Sequence, residues 1–343
     1  MPLKRLVAPL FLSLALGVAA CGGDEEEPAG TNAETDSAAT PSGGGSDGPV
    51  KIAFSAPGAD HGWMAAITDN ARQEAEELGD VELLAAEGVT DSAAQADQVE
   101  TLLGQDPDVL VLLPNEGDAL TPVAQKATEA GIPVVAVDRE LAEPGAARAT
   151  ITGDNYGIGW QAGNYFADEL KCQGNVVEIQ GIAGIAVTED RSQGFRDAIK
   201  RRCQDGIAIV ASQPADFVPD KGLSVMENIL QAEKQIDAVY THDDDMAEGV
   251  VAAIENANRQ DEMFLTGAGG SKAAMDRIKA GGLYRATFLY NPSMSASAIR
   301  MARLIARGEG FEELTEPEVP SHITVPATTV TKDNVEAVQE LGF

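Results

Sequence analysis

Residues able to grip a hydroxyl-rich small molecule recur in short loops of this chain, each just after an apolar run. Asp60, His61, Trp63 and Met64 follow VKIAFSAP, and Asp138 and Arg139 close the run that begins at 132. Arg191 ends QGIAGIAVTEDR, Phe217 ends SQPADF, and His242 to Asp245 follow the run 237–241. Gly269 lies in GAGGS after 262–266, and Tyr290 follows 283–289. A hydroxyl group donates and accepts at once, so carboxylates and the planar arginine fork pair with it from two sides. The C–H faces of a sugar ring stack on aromatic rings. A phosphate ligand would call for more Lys or Arg at these places.

Each residue also has a plainer reading. Trp63 suits a core position at a helix start, and Asp138-Arg139 suits a structural ion pair. Arg191 suits a surface place in a first helical turn, and Phe217 suits loop packing. Asp244 and Asp245 read as acids that complement a helix N-terminus, whereas Asp243 is assigned to the site. His61 and His242 have no partner at metal-site spacing, so no metal and no cofactor are expected. There is no serine nucleophile elbow. Asp138 beside Arg139 is expected to have a lowered pKa, the opposite of what a general acid needs, so the chain does not read as an enzyme.

The elements that must position these loops alternate in type. Strands in VKIAFSAP (50–57, entering a loop), VELLAAEG (81–88) and DVLVLLP (108–114) and at 132–137, 175–180, 207–213, 237–241, 262–266 and 283–289 are separated by amphipathic stretches. Helical spacing runs through Met64, Ile67, Ala71, Ala75 and Leu78, for example, and a last amphipathic helix covers 293–307. Near-continuous apolar runs such as DVLVLLP fit strands buried on both faces. The fold class is therefore α/β, with two doubly wound parallel-sheet lobes. Such sheets bind ligands at the carboxyl ends of their strands, where the loops above lie.

The amino terminus reads as an address. Lys4 and Arg5 precede an apolar stretch too short to span a bilayer comfortably, and small residues follow, as in an export signal over 1–20. Val18-Ala19-Ala20-Cys21 resembles a bacterial lipobox, by which Cys21 would carry a lipid. Residues 22–49 hold no Ile, Leu, Val, Met or aromatic residue, so 21–49 is expected to be a disordered tether. The 24 basic residues against 55 acidic ones give a net charge of −31, which repels nucleic acid. Cys172 precedes a strand and Cys203 ends the helix after it, at the same end of a sheet, so the two could meet; the alternative is two free thiols.

The run VVEIQGIAGIAVTEDRSQGFRDAI, then ASQPADF, KGLSVMENIL and DDDMAEG, with Asp138-Arg139 and GDN at 153–155, resembles the periplasmic sugar-binding proteins similar to ribose-binding protein. The resemblance spans most of 50–330. It implies type I lobes joined by a three-strand hinge, at 50–153 plus 290–322 and 154–289 plus 323–343, which close over one sugar as a monomer and hand it to an ABC permease. It also implies a site of Asp60, His61, Trp63, Met64, Asp138, Arg139, Arg191, Phe217, Asp243, Gly269 and Tyr290. A role as a sensor presenting its ligand to a membrane receptor is the alternative. Ribose binders of this kind carry Asp in a GFDG-like loop and a Gln near the hinge; here stand GAGG at 267–270 and Tyr290. The first loop is DHGWM rather than paired phenylalanines. These departures leave pentoses, hexoses and polyols equally open.

Overall fold

The computed structural model describes residues 48–311 and 318–343. The export signal, Cys21 and nearly all of the tether lie outside the described residues. The first half runs β1 (Val50–Ser55), α1 (Gly62–Leu78), β2 (Val81–Ala85), α2 (Ser92–Leu103), β3 (Val109–Leu112), α3 (Gly117–Glu129), β4 (Val134–Val137) and β5 (Ala149–Gly153). The chain continues with α4 (Asn155–Glu169), β6 (Gly174–Gln180), α5 (Ala186–Cys203), β7 (Ile207–Pro214), α6 (Pro219–Ala232), β8 (Ala238–Thr241), α7 (Asp244–Asn256), β9 (Phe264–Gly269), α8 (Lys272–Ala280) and β10 (Tyr284–Leu289). Last come α9 (Met294–Arg307), β11 (His322–Val325), β12 (Thr328–Thr331) and α10 (Val335–Val338).

Two six-stranded sheets result, with orders β2-β1-β3-β4-β5-β11 and β7-β6-β8-β9-β10-β12. The first is parallel throughout, and in the second only β12 runs antiparallel, against β10. The central strands VLVL and VVAV are buried at every position, which is why they read as unbroken apolar runs. In α9, Met294, Ala298, Met301 and Ala302 form the buried stripe of an amphipathic helix, and α9 packs on α1 of the first lobe.

The chain passes between the sheets three times: at β5–α4, at β10–α9 and at β11–β12. β11 pairs with β5 through Val325, so the third passage falls at Pro326-Ala327, slightly later than the boundary at 322 drawn from sequence. The sequence pattern assigns no strand to β5, β11 or β12. ATITG, HITV and TTVT are short, each is interrupted by Thr, and the last two are half exposed, so none makes an apolar run.

Cys172 and Cys203 are joined, with Cα atoms 4.9 Å apart. The bridge sits at the amino end of β6, away from the carboxyl ends that face the cleft. No helix among the described residues is long and apolar enough to cross a membrane.

Candidate functional site

The carboxyl ends of both sheets open onto one cleft. A cavity there holds about 370 Å³ of atom-free space, counted out to its mouth. His61, Trp63, Met64, Asp138 and Arg139 line it from the first lobe, Arg191, Phe217, Asp243 and Gly269 from the second, and Tyr290 from the second passage. Asp60 does not reach it. It lines an adjoining groove with Thr90 and Asn115 and accepts from His61 Nδ1 at 2.5 Å. Val187 and Ala268 complete the wall. Both are small and apolar, with no chemistry to mark them in the sequence.

Backbone geometry sets several of these side chains. Asp138, Asp216 and Phe217 have φ of 65°, 54° and 65°, a left-handed region that non-glycine residues seldom adopt. Such strain persists where surrounding structure holds it, and here it turns Asp138 and Phe217 into the cleft. Asp243 is the N-cap of α7 and accepts from Met246 N at 2.8 Å. Capping and lining the cavity are thus one role with two ends.

Tyr290 ties the site to the passages. Its hydroxyl donates to Asp138 and accepts from Asn155 Nδ2 at 3.3 Å, while the main-chain carbonyl of Tyr290 accepts from Trp63 Nε1 at 2.8 Å. The Trp63 and Tyr290 rings lie 5.1 Å apart. Beneath the Tyr290 ring is Gly153, where a Cβ would fall 1.9 Å from ring carbon Cε2. Trp63 is therefore both buried core and cavity wall.

The two arginines are anchored differently. Arg139 Nη1 donates to the Asn115 carbonyl at 2.5 Å, and its Nε lies 3.7 Å from Asp138 Oδ2 and is buried without a hydrogen-bond partner in the protein. Arg191 Nε donates to Asn155 Oδ1 at 2.9 Å, Nη1 donates to the His242 carbonyl, and Cζ lies 4.6 Å over the Tyr290 ring. Arg191 is a buried residue of α5, not a surface one. His242 is buried too, its Nε2 3.3 Å from Glu178. Glu178 also takes Arg196 Nη2 at 2.5 Å and Ser212 Oγ at 2.7 Å.

Charge in the cleft departs from the expectation at one point. Burial raises the Asp138 carboxyl, and the nearby Arg139 and Tyr290 do not offset it, so its pKa lies above the ordinary value rather than below. Burial likewise pushes Asp243 up to about 7. His61 shifts the other way: burial opposes its charge, but the bond with Asp60 and the fields of Asp243, Asp60 and Asp245 raise its pKa.

The two neighbouring acids are not mere helix-end charges. Asp244 is fully buried and accepts from Gly270 N and Ser271 N at 2.7 Å each, Tyr284 Oη at 2.7 Å and Thr287 Oγ1 at 2.8 Å. Asp245 reaches across the cleft to Gly62 N at 2.8 Å.

Two lobes of one winding, three passages and a shared cleft are the build of a two-lobed binding protein. Residues 52–310 match the family described as periplasmic binding protein domain, and the chain belongs to that family. A galactofuranose-binding protein of Escherichia coli (strain K12) is 32% identical over 303 residues, covering 86% of this chain and 93% of that one. A ribose import binding protein of Bacillus subtilis (strain 168) is 32% identical over 241 residues, covering 70% and 76%. In three dimensions, an ABC transporter solute binding protein from Bacillus halodurans C-125 with bound myo-inositol has a TM-score of 0.79 at 25% identity, covering 87% of this chain and 99% of that one. The chain is a binding protein of this family and not an enzyme.

Proposed function

We propose that the chain captures one uncharged sugar or polyol in the cleft and delivers it to an ABC permease. The observation that carries this is the furnishing of a single cavity from both lobes: Asp138 and Asp243 stand with Arg139 and Arg191, one carboxyl and one guanidinium from each lobe, and Trp63, Phe217 and Tyr290 supply rings. Formally balanced charge with unspent donors and acceptors suits a neutral polyhydroxylated ligand. The relatives named for galactofuranose and ribose, and the structure holding myo-inositol, support the class without choosing a member. Capture works by closure: contacts made from both lobes exist only when the cleft is shut, and the ligand shifts the balance by that difference alone. Cys21 would carry a lipid and 22–49 would act as a leash, holding the body at the envelope.

The test is a thermal-shift screen of the purified chain against pentoses, hexoses and polyols. A ligand at 100 times its Kd adds about 2.7 kcal/mol of stability. A panel with no responder rejects the reading. Delivery is tested by ligand-dependent stimulation of the partner permease's ATPase in proteoliposomes, and no stimulation by the loaded protein rejects that half.

A further inference from the structure

Helix α1 starts at the cleft without a side-chain cap of its own: His61, at its N-cap, makes no capping bond. In this α1 resembles α3, α5, α6 and α9, which also lack a side-chain cap, whereas α2, α4, α7 and α8 are each capped by the side chain just before them, from Asp91, Asp154, Asp243 and Ser271. The first N–H of α1, from Gly62, instead donates to Asp245 Oδ2 at 2.8 Å, from a residue 183 positions away on the opposite lobe. An uncapped helix start carries partial positive charge and orphan donors, which a carboxylate satisfies well. The approach is close enough that a Cβ on Gly62 would lie 3.0 Å from Asp245 Oδ2. His61 strengthens the same junction, since its ring lies 6.0 Å from that of Phe217 on the other lobe and its charge is favoured by Asp243 and Asp245. Asp245 is not among the residues lining the cavity.

We propose that Asp245 is a latch, a positioning residue that caps α1 from across the cleft and holds the lobes closed without touching ligand. This rests on the closure reading above, because the bond exists only while the lobes meet. When they part, Gly62 N returns to water and Asp245 is left as one of three acids at the start of α7. The latch therefore sets how much of the closing free energy the ligand must supply.

The experiment needs no ligand. Spin labels at Lys126→Cys on α3 and Lys200→Cys on α5, both well exposed, report the distance between lobes in the ligand-free protein. Asp245→Ala is expected to lower the closed-to-open ratio about 5-fold, the usual size of a lost cap. Asp245→Asn, which keeps an oxygen acceptor, is expected to fall between the two. A purely structural role in α7 would lower the melting temperature and leave the distance distribution unchanged, and that result overturns the proposal. Failure of the sugar reading would show in the ligand screen instead, so the two are separable.

Discussion

Arg139 and Arg191 line one cavity from two lobes of the same strand order, yet what lies behind them differs. Arg139 leans on the main-chain carbonyl of Asn115, with the buried polar side chain of Gln95 behind it and β3 and β4, wholly apolar, beneath. Arg191 is held by Asn155 and by the carbonyl of His242, whose ring rests on the buried carboxylate of Glu178, itself bonded outward to Ser212 and the exposed Arg196. Nearby, Asp244 gathers four donors, two from the turn between β9 and α8 and two from β10. A pocket wall on an apolar floor tolerates change beneath it through packing alone. One built on buried polar groups is aimed more stiffly, because each broken bond leaves a partner unsatisfied. The second lobe should therefore be the more fragile of the two, and its back layer should influence the cleft.

The largest expected effect is at Asp244. Asp244→Ala strands two main-chain N–H groups and two hydroxyls, so urea unfolding should show a loss of at least ~3 kcal/mol. In the first lobe the nearest counterpart is buried Gln95, which donates to Leu113 O and accepts from Asn115 N. Gln95→Ala should cost ~1–2 kcal/mol in the same assay, and equal losses would break the contrast.

Next comes the disulfide. The double change Cys172→Ser, Cys203→Ser frees a loop with a sequence separation of 31, for an expected loss of ~3–4 kcal/mol. Ligand affinity by calorimetry should stay as in wild type, since the bridge lies at the far end of β6 from the cleft. A change in affinity would mean that the second lobe transmits strain along its full depth.

Smaller and signed by pH are two carboxyls of the second lobe. Burial alone would raise Glu178, but bonds from His242 and Ser212 and the charge of Arg196 hold it down to about 2. Its stabilising contribution is complete above its ordinary 4.5 and is lost as pH falls toward 2; Glu178→Gln should flatten that acid limb. Asp243 has the opposite sign. At about 7 its carboxyl keeps a proton that the unfolded chain has released, so stability of the closed protein falls as pH rises from 3.8 to about 7. Asp243→Asn retains the cap on α7 and should remove that slope. Thermal melts across pH 2–8 read both limbs, and an unchanged slope in Asp243→Asn would remove this carboxyl from the account.

The second lobe's fragility also explains what the sequence could and could not reveal. Strict alternation of apolar runs and helical stretches made the doubly wound architecture legible, because strands buried on both faces have no other pattern. Of the residues assigned to the site from the sequence, all but Asp60 line one cavity. The edge strands β11 and β12 escaped notice because half-exposed tetrapeptides that mix Thr with apolar residues resemble loops. The pKa direction of Asp138 was missed because its neighbour Arg139 is visible in the sequence and its burial is not. For the same reason, Asp244 and Asp245 looked like ordinary acids at a helix start. Their partners, at Gly270 and Gly62, are distant in sequence and donate through main-chain N–H groups.

Isothermal titration of wild type and Arg191→Ala with the strongest responder among the sugars and polyols tests the central claim most directly. One molecule bound per wild-type chain, weakened about 100-fold in a variant that melts as a folded protein, is the predicted result. Equal affinity in the two proteins would place the ligand outside this cleft and contradict the account.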